Sequence, residues 1–100
     1  MIFTIFLMDK PGTADLRAQI RPEHRAYLAK QADRMAFAGP LTSDDGKTTL
    51  GSLLVMDFEN RHELENWLKE EPFTVAGVYE KPVIHVFNNM WQQKVGFPPA

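Results

Sequence analysis

The first eight residues, Met1-Ile2-Phe3-Thr4-Ile5-Phe6-Leu7-Met8, decide which fold this chain can adopt. Every residue except Thr4 is apolar, and β-branched and aromatic side chains are frequent, which predicts a β-strand buried on both faces. Asp9-Lys10-Pro11-Gly12 then ends the strand with residues typical of a turn. Because such a strand has no polar side, both faces of its sheet need cover from other parts of this chain or from another chain.

The composition narrows the class of protein. A chain of 100 residues forms one domain around a single core, and 44% hydrophobic with 24% charged residues is ordinary for a soluble globular domain. Eleven basic against thirteen acidic residues give a net charge of -2. This balance argues against a partner that is nucleic acid or a membrane surface. The longest apolar run, residues 1–8, is far shorter than the roughly 20 residues of a membrane span and lacks the flanks of a signal peptide.

The chain contains no cysteine. It therefore has no disulfide, no thiolate nucleophile and no cysteine-bound metal. A cytoplasmic location fits this composition, although a cysteine-free chain also fits an exported bacterial protein.

Helical spacing of apolar side chains runs from about residue 13 to residue 36. Proline is tolerated in the first turn of a helix but not in its interior. Pro22 therefore predicts a short helical turn at about 14–20 and a main helix from Pro22 to about Phe37. A short strand or turn is expected next, at Leu41.

The second half of the chain predicts a strand, a helix and a further strand. The segment from Thr48 to Phe58 is rich in strand-forming residues and contains Gly51, which marks a bulge or a close backbone approach. Asn60 is the expected N-cap of a helix over 61–70. The last strand is expected within 78–88, with firm pairing beginning only after Pro82.

The order β-α-β-β-α-β predicts an α+β, ferredoxin-like fold with an antiparallel sheet and both helices on one face. A second copy of the chain, forming a symmetric homodimer, would cover the other apolar face most economically, and a monomer is the alternative. We assign residues 1–88 to the domain. Residues 89–100, which include Trp91 and Phe97, form a tail expected to pack on the domain or on the dimer partner.

His24 is the first candidate for chemistry. It follows Pro22 by two residues, so it falls in the first turn of the predicted main helix, where the helix dipole disfavours the imidazolium. A neutral imidazole can accept a proton, as a general base must. The alternative is a structural histidine that caps its own helix. The three histidines of the chain have no metal-ligand spacing, so no metal is expected. The sequence has neither a G-x-G-x-x-G motif nor a P-loop, and no cofactor is expected.

Glu71 and Arg21 are the next candidates. Glu70 and Glu71 end the predicted second helix, where a carboxylate interacts unfavourably with the helix dipole. One interpretation is that another part of the fold requires a carboxylate here. The other is that both carboxylates are simply solvated. Arg21 directly precedes the predicted main helix and suits an anionic group held near backbone N–H groups. Its alternative is a surface salt bridge to Glu23 or Asp15.

These residues together form an ordered set of short motifs. The set comprises Asp9 after the first strand, Arg21-Pro22-Glu23-His24, Ala38-Gly39-Pro40-Leu41, Gly51-Ser52, Glu71-Pro72-Phe73 and Ala76-Gly77-Val78-Tyr79-Glu80. In this order it resembles the YciI-like (YCII-related) family over residues 1–88. The resemblance implies a dimeric α+β barrel of ferredoxin-like protomers, with a cleft that holds a His–Asp dyad. His24 takes the histidine position, and Glu71, one methylene longer, stands where the family usually has Asp.

The resemblance implies an enzyme that transfers a proton on a small anionic or phenolic molecule, in lyase- or isomerase-type chemistry. His24 would be the base, Glu71 would orient its ring, and Arg21 would bind the anion. Tyr27 and Phe73 would line the substrate pocket, with Phe3 nearby, unless these aromatic residues are plain core. Two other functions stay open: a non-catalytic small-ligand binder, and a domain that mainly dimerises or binds a partner protein.

Overall fold

The computed structural model describes residues 1–93. The strands are β1 (Ile2–Met8), β2 (Met35–Thr42), β3 (Thr49–Asp57) and β4 (Val83–Phe87), and the helices are α1 (Ala14–Ala29), α2 (Arg61–Lys69) and α3 (Pro72–Ala76). A single 3-10 turn at Ala32–Arg34 joins α1 to β2. In the described part of the chain, no helix is long and apolar enough to cross a membrane.

The strands form one antiparallel sheet in the order β2-β3-β1-β4. The hydrophobic first strand lies inside the sheet, with Ile5 opposite Leu54 of β3 on one side and Ile84 of β4 on the other. This is the ferredoxin-like, α+β arrangement that the element order predicts. An interior place in the sheet explains why β1 needs no polar residues for an edge.

The two faces of the sheet differ in their cover. Phe3, Ile5 and Leu7 of β1 are buried with apolar side chains of α2 and α3, and together they form the core. The opposite face keeps large apolar side chains in solvent. On that face Phe6 is 38% exposed, Met8 41%, Val83 49% and Phe87 46%. The predicted two-sided apolar sheet is therefore present, with one side open in the single chain.

The first helix differs from its prediction. It is one continuous helix, Ala14–Ala29, with Pro22 inside it, and the predicted continuation to Phe37 is wrong. Pro22 is exposed, so solvent can satisfy the carbonyl that loses its N–H donor. Residues from Met35 onward form β2 instead, because pairing with β3 satisfies the backbone groups that face this neighbour along the strand. Tertiary pairing thus overrides a local helical spacing.

The second half of the chain follows its prediction closely. Asn60 caps α2, and its side chain accepts a hydrogen bond from the Glu63 N–H at 2.9 Å. Gly51 makes the expected close approach, since a Cβ atom built there would lie 2.4 Å from the Leu7 carbonyl oxygen. β4 begins at Val83, directly after Pro82. In the expected tail Trp91 is 88% exposed, whereas Phe97 lies outside the described residues.

Candidate active site

An open groove runs between α1 and the β2–β3 half of the sheet, with a volume of about 1290 Å³. Its polar lining includes Asp9, Arg17, Arg21, His24 and Ser52. Its apolar wall includes Leu28, Met35, Ala38, Pro40 and Leu54. A concave, mostly apolar surface with a few converging polar groups is typical of a small-molecule site.

His24 and Glu71 form a hydrogen-bonded pair at this groove. His24 Nδ1 contacts Glu71 Oε1, joining α1 to the segment before α3. The histidine side chain is 12% exposed, whereas the glutamate is fully buried. Because a carboxylate can only accept a hydrogen bond, Nδ1 carries the proton and Nε2 is the ring atom left for a ligand.

The helix-dipole argument for His24 is wrong. α1 begins at Ala14, so His24 lies in the third turn of the helix and not in its first. Arg21 likewise lies inside α1, where backbone N–H groups bond within the helix and cannot bind an anion. Arg21 nevertheless lies in the groove wall and is exposed. The environment of His24 is therefore set by Glu71 and its neighbours.

Glu71 also differs from its prediction, because it begins a helix as well as following one. It is the N-cap of α3, and its Oε2 accepts hydrogen bonds from the Thr74 N–H at 3.1 Å and the Thr74 hydroxyl at 3.4 Å. The positive end of α3 thus meets a negative charge. One carboxylate caps a helix with Oε2 and holds His24 with Oε1, which gives the imidazole a fixed partner.

Phe73 lies beneath the histidine ring. The two ring centroids are 3.9 Å apart with planes inclined by 13°, and Phe73 is fully buried. The guanidinium carbon of Arg17 lies 4.7 Å from the centre of the same phenyl ring. Phe73 therefore supports two groove residues from below, and a direct contact with substrate does not follow from its position.

Tyr27 faces α2. Its hydroxyl donates to the Trp67 carbonyl oxygen at 2.7 Å, and its ring stacks on Trp67 with centroids 5.4 Å apart. Burial raises the pKa of the Tyr27 phenol, and the carboxylates of Glu70 and Glu71 raise it further. Its hydroxyl is thus committed to helix packing as a donor.

A second polar cluster adjoins the pair, formed by Asp9, Arg17, Ser52 and Tyr79. Arg17 Nε donates to Asp9 Oδ2 at 2.9 Å, and Arg17 Nη2 donates to Ser52 Oγ at 2.7 Å. Ser52 Oγ lies 2.8 Å from the Tyr79 hydroxyl. Burial raises the pKa of Tyr79, so its phenol stays protonated at neutral pH.

Ser52 Oγ and the Tyr79 hydroxyl share one hydrogen bond in which either oxygen can be the donor. Arg17 Nη2 donates to the same Ser52 oxygen. When Tyr79 is the donor, the proton of Ser52 is available to a ligand, because Ser52 lines the groove. Ser52 and Arg17 together offer donors to an anionic oxygen.

Sequence reasoning did not identify Arg17 as a site residue or give Asp9, Ser52 and Tyr79 a role. Arg17 looks like one more cation on the polar side of an amphipathic helix. A signal was present in Asp9 and Arg17, which carry opposite charges on either side of the β1–α1 turn. Their pairing depends on the turn geometry, which spacing alone does not determine.

Comparison with known proteins places this chain in a family. The family model of the YCII-related domain matches residues 1–88. An uncharacterized protein of Haemophilus influenzae is 31% identical over 98 residues, covering 91% of this chain and all of that protein. Protein YciI of Escherichia coli is 29% identical over 98 residues, with the same coverage.

A solved structure shares the fold as well. The 5-chloro-2-hydroxyhydroquinone dehydrochlorinase TftG of Burkholderia phenoliruptrix, in complex with 2,5-dihydroxybenzoquinone, superposes with a TM-score of 0.81 and 29% identity. The match covers 88% of this chain and 94% of that chain. The family resemblance read from the motifs is therefore confirmed, and this chain belongs to the YCII-related domain family.

Proposed function

We propose that this protein is a small-molecule enzyme that uses His24 and Glu71 for proton transfer, in lyase- or isomerase-type chemistry on a phenolic or enolisable anion. The observation that carries the proposal is the contact between His24 Nδ1 and the fully buried Glu71 carboxylate at the wall of a groove. A base oriented by a second group is a recurring arrangement in acid–base catalysis.

Each polar residue of the groove has a distinct part in this chemistry. His24 Nε2 takes a proton from the substrate, and Glu71 stabilises the imidazolium that results. Arg17 and Ser52 hold the oxygen on which negative charge resides, and Arg21 adds positive charge at the groove wall. In an elimination, the leaving group departs with its electron pair after His24 has accepted the proton.

The structural neighbour supports the lyase-type assignment. TftG is a dehydrochlorinase that acts on a hydroxylated ring, and it shares the fold of this chain at 29% identity. Loss of hydrogen chloride needs a base for the proton and a site for an oxygen anion, and both are present in the groove described here. Substrates of this chain are therefore expected among small hydroxylated aromatic or enolisable compounds.

The proposal includes a homodimer formed through the exposed face of the sheet. That face carries Phe6, Met8, Val83 and Phe87, each between 38% and 49% exposed. A second copy presents an equally apolar surface of the same shape, as a symmetric interface requires. Residues 1–88 form the domain in this proposal, residues 89–100 form a tail that packs on the domain or on the dimer partner, and the dimer resides in the cytoplasm.

Turnover by His24 variants tests the catalytic part. With 5-chloro-2-hydroxyhydroquinone and related enolisable compounds, chloride release or proton exchange is expected for the wild type. His24→Gln should lower kcat by about 100-fold to 10,000-fold, the usual contribution of a general base. His62→Gln, an exposed substitution on α2, is the matched control and should keep full activity. Equal activity of both variants would reject His24 as the base, and ligand binding without any turnover would favour the binding protein.

A further inference from the structure

The charged side chains that line the groove differ from those of the chain as a whole. In the described part of the chain, the lining has five lysine and arginine residues and one carboxylate, namely Lys10, Arg17, Arg21, Arg25, Lys47 and Asp9. The whole chain has 11 basic and 13 acidic residues. A cleft lined by one sign of charge attracts ions of the opposite sign and raises their local concentration. The excess of positive charge therefore indicates an anionic ligand.

Most of this positive charge is not neutralised by the protein. Arg17 is paired with Asp9, the carboxylate of the lining. Among residues 1–93, no ion pair is formed by the other four cations, which we call the unpaired cations: Lys10, Arg21, Arg25 and Lys47. Arg21 does not pair with Asp15 or Glu23, the carboxylates close to it in sequence. All four unpaired cations are exposed, so a ligand in the groove can contact them.

Three arginines form a row along α1. Arg17, Arg21 and Arg25 are four residues apart, which places them on one face of the helix, and all three line the groove. Like charges at this spacing destabilise a helix. A row of charges that is unfavourable for its own helix is expected where something outside the helix requires it. An anion bound in the groove would remove this repulsion.

The groove is also larger than a single ring requires. A cavity of about 150 Å³ accommodates benzene, whereas the groove has a volume of about 1290 Å³. Lys47 belongs to the turn between β2 and β3, across the groove from α1. A ligand with one anionic oxygen at Arg17 and Ser52 therefore leaves space for a second group between α1 and this turn.

We propose that the groove binds a small organic acid with two anionic groups, a phenolate or enolate oxygen at Arg17 and Ser52 and a carboxylate at the unpaired cations. The inference rests on the proposed function and deepens it by adding a second charged group to the ligand. Arg21 and Lys47 hold the carboxylate from the two walls, because the planar fork of arginine matches two carboxylate oxygens and lysine adds a point charge. The other two unpaired cations extend the positive field along the groove.

Two coloured probes of nearly the same shape isolate the effect of the second charge. At pH 8, 4-hydroxy-3-nitrophenylacetate has a phenolate and a carboxylate, whereas 4-hydroxy-3-nitrophenylacetamide has the same phenolate and a neutral amide. Spectrophotometric titration of the wild type at low ionic strength should show the carboxylate probe binding about tenfold tighter, which corresponds to about 1.4 kcal/mol. Added salt should reduce this preference, because the unpaired cations are exposed.

Single substitutions then locate the carboxylate. Lys47→Gln and Arg21→Gln each remove one cation from the groove and should each lower the affinity ratio of the carboxylate probe to the amide probe by about threefold. Affinity for the amide probe should change less, since that probe has no group for these cations to hold. Lys69→Gln removes the same charge from an exposed position on α2, outside the groove lining, and should keep the wild-type ratio.

The outcomes distinguish this inference from the proposed function. If the wild type binds both probes equally, the carboxylate site is rejected while the phenolate site stands. An equal fall of the ratio in Lys69→Gln also rejects it, because the overall charge of the protein would then explain the preference. If neither probe binds to the wild type, the ligand class of the proposed function fails, and this inference fails with it.

Discussion

A single residue, Glu71, contacts both His24 and Thr74 through its one carboxylate. Substitution by the isosteric glutamine tests both contacts. In Glu71→Gln the Thr74 N–H still requires an oxygen, so the amide oxygen is held there and the NH₂ group faces His24. Nδ1 must then accept, which moves the ring proton to Nε2 and removes the proposed base. We expect the ¹⁵N shifts of His24 to change from the Nδ1–H to the Nε2–H tautomer, with kcat falling at least about 100-fold.

Glu70→Gln is the matched control for this prediction. Glu70 is the adjacent carboxylate, and it is exposed. Its amide should leave the His24 tautomer and kcat as in the wild type. An unchanged tautomer in Glu71→Gln would show that Glu71 does not set the state of the ring.

Because the Tyr79 hydroxyl is buried, we expect the folded protein to lose stability at alkaline pH. Burial raises the pKa of its phenol in the folded state, whereas the unfolded chain has the usual value of about 10. The folded state therefore holds this proton more tightly. The resulting stability is fully present below about pH 10 and is lost as pH rises above it, by up to about 1.4 kcal/mol per pH unit.

Tyr79→Phe removes this titrating group. The variant should unfold more easily near neutral pH by about 1 kcal/mol, since the Ser52 hydrogen bond is gone. Its free energy of unfolding should fall less steeply than that of the wild type between pH 10 and pH 11. Urea unfolding at a series of pH values measures both effects, and parallel curves would contradict the assignment.

Part of the candidate site could be predicted from the identities of individual residues. His24 and Glu71 were candidates from the sequence itself, the family resemblance paired them, and they do meet across the fold. Phe73 and Tyr27 were assigned to the pocket from their aromatic character, yet their positions are set by stacking on His24 and Trp67. Side-chain direction within a helix depends on which neighbour it packs against, and one sequence does not record that neighbour.

At the scale of the elements, the contact between β1 and β3 depends on Gly51. A Cβ at this position would lie 2.4 Å from the Leu7 carbonyl oxygen and 2.8 Å from the Met8 Cα, both backbone atoms that cannot move aside cheaply. Gly51→Ala should lower the free energy of unfolding by about 1–3 kcal/mol, measured by urea denaturation. Gly39→Ala, in β2 with no atom within 4 Å of the added carbon, should stay within about 0.5 kcal/mol of wild type.

Pro22 makes α1 less stable than a helix of the same length without proline. It lies inside the helix, where proline removes one backbone hydrogen bond. Pro22→Ala should raise the free energy of unfolding by up to about 3 kcal/mol and raise Tm accordingly. Glu23→Ala, at the next exposed position, should change Tm little. A lower Tm for Pro22→Ala would mean that the packing of α1 depends on the proline ring.

The elements also show what local patterns can predict. β1, β3 and α2 were predicted well, since long apolar runs and a capping box are strong local signals. β2 was predicted only as a short strand or turn at Leu41, and its first residues were assigned to a helix, because Met35 to Ala38 also fits the apolar spacing of a helix. Its strand state depends on register with β3, in which Met35 lies opposite Met56 and Ala38 opposite Leu54. Such pairing depends on distant residues that a helical period cannot reveal.

At the scale of the whole molecule, the open sheet face predicts the assembly state. Phe6→Glu places a charge in the middle of that face, opposite Leu53 and Val83. We expect sedimentation velocity to show a dimer for the wild type and a folded monomer for the variant. Val75→Glu alters a 71% exposed valine on α3, away from the sheet face, and should remain dimeric. A monomeric wild type at micromolar concentration would reject the proposed interface.

The double attachment of Glu71 has a consequence for the thermal behaviour of the protein. A fluctuation that unwinds α3 frees the Glu71 carboxylate from its helix cap, so His24 can lose its partner while the sheet remains intact. Short helices at the surface open at lower free energy than core strands do. The amide of Thr74, which bonds to Glu71, therefore reports by its hydrogen-exchange rate on the fraction of molecules that keep the His24–Glu71 contact. Activity should decline on warming in step with that exchange, at temperatures below the global unfolding transition.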